Sequence, residues 1–191
     1  MATTMDAAPW RRVKWTRAGQ VAGLAGIGEA LDGLYDAPPA MAFAVLRRDH
    51  PSAAVRFMAH CLPRFDAIQW RYRTLERTPP RSPRHAEIRT GIAGWLVDPS
   101  DKRRRAVFEL AQAVGIETPD ATAGLALFLS GGSMTPAELE NGVQPPAGVF
   151  GQAVAGTILL AGQAQGPQNF DKELDVLLGI GLAIAEAEDA H

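Results

Sequence analysis

The chain of 191 residues carries a single cysteine, Cys61, so no internal disulfide can form, and this usage fits a reducing compartment. No apolar run reaches the ~18 residues that a membrane span requires. Arg11 and Arg12 lie near the start, but no apolar stretch follows them to complete an export signal, so a cytoplasmic location is expected. Aromatic residues make up only 7% of the chain while alanine and glycine are plentiful. Such a core must depend on close approach of backbones more than on large side chains. No segment alternates apolar and polar residues with the two-residue period of a strand. Positive charge is nearly missing from the second half, where Lys172 is the one basic side chain after residue 105.

An apolar content of 47% against 21% charged residues is that of a folded globular chain, which excludes bulk disorder. Residues 1–15 lack lasting periodicity and read as a flexible arm, with Trp10 and Trp15 able to tack it onto the body. From Thr16 the spacing of Val21, Leu24, Gly28, Leu31 and Tyr35 is helical, although five glycines weaken it. The GLAGIG stretch has the wrong spacing for a dinucleotide-binding turn and follows no strand. Prolines then punctuate the chain, each at or just before an apolar-periodic segment, as expected for residues of a helix first turn. They predict helices over 38–48, 51–61, 63–77, 83–97, 99–114, 119–129, 136–140, 146–164 and 168–187. Ser82, Asp98, Thr118 and Thr135 stand in N-cap positions. Short links favour antiparallel neighbours. The expected fold is all-α: helical hairpins stacked as an irregular bundle or short solenoid, in one domain over 16–187, with a tail at 188–191.

Chemistry is hard to place on this scaffold. The four histidines are scattered, and His60 beside Cys61 does not chelate from a helix, so no metal or other cofactor is expected. Ser130-Gly131-Gly132-Ser133 could cradle an anion or present a nucleophile. It lacks the G-x-S-x-G elbow and the P-loop lysine, however, and termination of a helix accounts for it. The following Thr135-Pro136-Ala137-Glu138 is a capping box. Cys61 reads as a buried, inert thiol. Three classes of function remain: a protein-interaction module, a nucleic-acid-binding protein and an enzyme whose site is not visible.

Charge is the distinctive feature. Residues 1–105 hold 18 basic against 10 acidic side chains, a net of +8, and residues 106–191 hold 1 against 11, a net of −10. Lys102-Arg103-Arg104-Arg105 occupies the opening turns of a helix, where cations oppose the macrodipole. Phe65, Ile68, Tyr72 and Leu75 form the expected core stripe of helix 63–77, and Trp95 is expected in the core. Trp70 lies across from that stripe near Arg73 and Arg77, and it either packs on another hairpin or is an exposed anchor. Trp70, Arg73, Arg77, Arg103, Arg104 and Arg105 make up the expected partner-binding set. The rival account has the arginines pairing internally with the acidic half.

Leu62-Pro63, Asp98-Pro99, Ser130-Gly131-Gly132-Ser133 and Ala153-Val154-Ala155-Gly156, in this order, resemble an uncharacterised bacterial family of small all-helical proteins found in type VI secretion gene clusters. The likeness spans about residues 50–185. It implies an all-helical fold and a role beside that secretion apparatus, and it brings no catalytic residues. The expected function is thus a non-enzymatic adaptor or accessory factor whose partner is another protein, such as a secretion component or an effector. Nucleic-acid binding through the arginine-rich middle is the alternative, and an overall pI near 6.1 argues against it.

Overall fold

Proline sets the helix starts. Pro39, Pro51, Pro83 and Pro119 each occupy a first helical turn, where the missing N–H costs nothing. In the computed structural model, which describes residues 10–136 and 142–188, nine α-helices follow one another and no strand occurs among the described residues. They are α1 (Gly19–Ala25), α2 (Pro39–Asp49), α3 (Pro51–Cys61), α4 (Arg64–Leu75), α5 (Pro83–Val97), α6 (Asp101–Val114), α7 (Pro119–Leu129), α8 (Val149–Gln163) and α9 (Phe170–Glu186). Short 3-10 turns at Glu29–Leu31 and Pro167–Asn169 complete them. The helix predicted over 136–140 lies, apart from Pro136, outside the described residues.

The long helix expected from Thr16 is interrupted. Gly26 takes φ +63°, a left-handed conformation that ends α1 after two turns. Caps agree in part with expectation. Thr118 Oγ1 accepts from the backbone of Ala121, whereas Ser100, rather than Asp98, caps α6 by accepting from Arg103. Residues 10–15 are not free. Trp10 is buried against Phe43 and Phe57, and the Trp15 indole donates to the carbonyl of His60 at 3.2 Å.

The bundle has two apolar clusters. One gathers α1, α2, α3, α8 and α9 around Phe43, Phe57, Met58 and Leu178; the other gathers α5, α6 and α7 around Ile88, Ile92, Val107 and Leu127. Helix α4 joins them, with Ala67 and Trp70 in the first and Ile68 and Leu75 in the second. Four helices, α5, α7, α8 and α9, touch it. Seven of its twelve residues are therefore buried, including the polar Asp66, Arg71 and Thr74.

Enclosure of α4 gives Trp70 the packed one of its two expected roles and removes it from the expected partner-binding set. Its side chain is fully buried, and its indole N–H donates to the Leu177 carbonyl of α9 at 2.8 Å. Room for the ring comes from Gly181, where a Cβ would collide with both Met58 and Trp70. Arg71 is buried as well. Its Nη1 donates to the Ala123 carbonyl of α7 at 2.7 Å, and burial pushes its pKa down to about 9.

Two substitutions separate these buried groups by their chemistry. Trp70→Ala should cost about 3–5 kcal/mol in denaturant unfolding, because it opens a large cavity between α4 and α9. Arg71→Met should hold or raise stability, by up to about 4 kcal/mol, since an apolar side chain of similar length removes the cost of burying a charge. A clear fall in the unfolding midpoint of Arg71→Met would show that the bond to α7 outweighs that cost.

Candidate functional site

The run Lys102–Arg105 breaks the dipole rule for α6 but obeys it for α7. Arg104, near the start of α6, reaches the Phe128 carbonyl near the end of α7, so the two helices run antiparallel. Its other donors meet Asp101 Oδ1 and the Ser133 carbonyl, the latter at 2.9 Å. Arg105 donates to Asp101 Oδ2 at 2.7 Å and to the same Ser133 carbonyl at 3.0 Å. From α4, Arg64 donates to the Ser130 carbonyl at 2.7 Å. Three guanidinium groups thus satisfy carbonyls where α7 ends, the place at which cations are favoured. Arg104 also lies 4.6 Å over the Phe128 ring, which stacks on Phe108 with centroids 4.0 Å apart. Gly132, at φ +70°, leaves room for the Arg104 guanidinium.

The serine turn is closed by its own hydrogen bonds. Ser130 Oγ donates to the Leu127 carbonyl at 2.7 Å, and Ser133 Oγ accepts from the Thr135 N–H at 3.1 Å. Cys61 is 2% exposed, and burial pushes its thiol well above the usual range, which disfavours the thiolate. Among the described residues no group of His, Cys, Asp and Glu gathers as metal ligands.

Of the six residues expected at a partner surface, the structure removes two. Trp70 is in the core, and Arg104 is 3% exposed because the turn carbonyls and Asp101 draw it inward. Arg105 is largely covered for the same reason. Arg77 pairs with Glu173 at 3.0 Å and Arg103 with Asp98 at 3.1 Å, both partly open. Arg73 is exposed, and among the described residues no carboxylate pairs with it. The arginines of the middle region do not form one continuous face, since Arg71 and Arg104 are buried and Arg89 is tied to Asp120 and to the Leu75 and Thr78 carbonyls. Arg11–Glu188, Arg47–Asp175, Arg77–Glu173 and Arg89–Asp120 join the basic half to the acidic half.

The outward side of α4 carries a different set. At about 100° per residue, Phe65, Gln69, Tyr72, Arg73 and Glu76 share one arc, opposite the buried one. Phe65 is 39% exposed and leans on half-buried Trp95 of α5, with ring centroids 6.0 Å apart. Partial burial, with a hydrogen bond to Glu76, holds the Tyr72 hydroxyl above its ordinary pKa. Sequence periodicity placed Phe65 and Tyr72 wholly inside. The sequence carries no clear signal for this phase, because polar Asp66, Arg71 and Thr74 share the buried arc with apolar Ala67 and Trp70.

These features define a class: an all-α bundle whose helix ends are held by arginine, with an aromatic strip on its central helix. Within that class, the chain belongs to a family of unknown function, DUF6931, whose sequence pattern matches residues 42–185. Comparison with curated proteins and with solved structures gave no match in either set. No helix among the described residues is long and apolar enough to cross a membrane.

Arg104→Ala should destabilise by roughly 1.5–3 kcal/mol, through lost charged hydrogen bonds, while Arg103→Ala stays within about 0.5 kcal/mol. Reversing Arg103, Arg104 and Arg105 together to glutamate should lower the melting temperature. Asp101 supplies a pH signature. Bonds from Arg105 and then Arg104 hold its carboxyl below the ordinary 3.8. Its stabilising contribution is therefore complete above about pH 4 and is lost as pH falls through the folded value. Asp101→Asn should flatten that acid limb in unfolding measured from pH 2 to 6. Parallel loss in both proteins would rule out the linkage.

Proposed function

We propose that this protein is a cytoplasmic, non-enzymatic adaptor that binds another protein through the outward face of α4 and the adjoining Trp95. The observation that carries this reading is the strip itself. Phe65 and Tyr72 of the centrally braced α4 and Trp95 of α5 are kept partly open, beside an Arg73 that no carboxylate among the described residues pairs with. Tyrosine, tryptophan and arginine are the residue types that dominate binding energy at protein interfaces. A helix enclosed on most of its circumference presents such side chains with little ordering cost on binding. The exposed guanidinium of Arg73 and the partly open Arg77 and Arg103 favour a partner with an acidic flank. Placement beside a bacterial type VI secretion apparatus rests on the motif resemblance alone, and a secretion component or effector is the partner it implies.

The test uses the double variant Phe65→Ala/Arg73→Glu, whose two sites lie outside both apolar clusters. The melting temperature should stay within a few degrees of wild type. A protein retained by immobilised wild type from the source cells, then purified, should bind the variant at least about tenfold more weakly. Its wild-type affinity should also fall as salt rises. Equal affinity for both forms would move the interface elsewhere. A purified partner unrelated to secretion would keep the adaptor and remove its placement.

A further inference from the structure

A second feature lies apart from that strip. A cleft of about 380 Å³ opens between the N-terminal segment, the junction of α3 and α4, and the Pro145–Gly148 approach to α8. Its charged lining is of one sign, from Arg12, Lys14 and Arg64, with His60 and the buried Cys61 thiol also on the wall, and no carboxylate among the described residues lines it. Asp66, which does not line the cleft, accepts from Arg12 Nε at 2.8 Å, with its side chain only 2% exposed. His60 is already committed, with Nδ1 at 2.8 Å from the Arg56 carbonyl and Nε2 at 3.3 Å from that of Gly148. The ring acts as a strut between α3 and the Pro-Pro loop.

Two cations face the opening with donors to spare. Lys14 lies 4.7 Å over the Trp15 ring, and no carboxylate among the described residues pairs with it. Arg64 uses Nη1 on the Ser130 carbonyl, and among the described residues the rest of its guanidinium has no partner. Helices α4 and α8 both begin at this cleft, and neither first turn has a side-chain cap. Their N–H groups add to a field already made positive by the cations. The remaining wall is apolar, from Trp15, Leu24, Pro146 and Phe150. Its volume is at the small end for ligand sites, which run from ~300 to ~1,000 Å³, and suits one ring with its head group.

We propose that this cleft binds a small amphipathic anion, a carboxylate or phosphate group carried on an apolar body of about one ring. Lys14 and Arg64 hold the head group, and Trp15, Pro146 and Phe150 take the body. The cleft shares no residue with the α4 strip, and nothing in its chemistry requires a protein partner.

Phenylacetate, phenyl phosphate, inorganic phosphate and the neutral phenylacetamide are the probes, read at constant ionic strength by isothermal titration and by tryptophan emission. At least one aromatic anion should bind about tenfold or more tightly than phenylacetamide and than inorganic phosphate. The aromatic anion that binds better identifies the head group. Lys14→Gln and Arg64→Gln should each weaken it about tenfold. Trp15→Phe should abolish the emission change. Lys14 is exposed, so Lys14→Gln keeps the test sound should Arg64→Gln disturb the Ser130 turn. No measurable binding, equal binding of the neutral amide, or unchanged affinity in Lys14→Gln would each overturn the site.

Discussion

Everything in this bundle follows from enclosing a polar helix. Helix α4 is contacted by four others while carrying Asp66, Arg71 and Thr74 on its buried arc. A buried charge is costly unless hydrogen bonds replace its water. The chain meets that demand only in part, with groups from distant segments: the Arg12 side chain on Asp66, and the Ala123 backbone carbonyl on Nη1 of Arg71, whose Nε and Nη2 have no hydrogen-bond partner among the described residues. The same device recurs where helices end. Arg89 closes the end of α4 through the Leu75 and Thr78 carbonyls, and Arg64, Arg104 and Arg105 close the end of α7. Guanidinium groups suit this work because their planar, multiple donors can bind several carbonyls at once. The division of charge along the chain is therefore partly a division of labour within the fold. Basic side chains of the first half reach carbonyls and carboxylates of the second.

Helix existence was legible because proline and capping chemistry are local. The bounds expected for α3, α5 and α7 agree with the structure, and those of the other long helices differ by a few residues at their ends. Helix orientation was less legible. Periodicity locates a buried face when only one face is buried, and α4 is buried over most of its circumference. Periodicity therefore puts Phe65 and Tyr72 on the core stripe and leaves Trp70 open between a packed and an exposed role, whereas Trp70 is buried and Phe65 is exposed. The arginine run failed for a related reason. Its cost to α6 can be computed from α6 alone, but its benefit lies at the end of α7, a neighbour defined only in three dimensions.

The two surface features are physically unlike. The α4 strip is convex, aromatic and supported from beneath by both apolar clusters. The cleft is concave, electropositive and built where an N-terminal segment leans over the starts of two uncapped helices. Carbonyl-seeking arginines stand near both, with Arg89 pinning the end of α4 and Arg64 pinning the serine turn. Arg64 belongs to that pinning set and also lines the cleft, which places part of the opening on the same support as the serine turn.

Trp10 gives the N-terminal segment an importance that its distance from the matched region conceals. The family match begins at residue 42, yet Trp10 is the side chain that lies over Phe43 and Phe57 inside that match. Residues 10–41 are thus part of the globule's own lining, and the border of the family pattern is not a border of the folding unit. A fragment cut at that border would carry an uncovered aromatic floor, and its natural remedy would be to find the missing cover on a neighbouring copy.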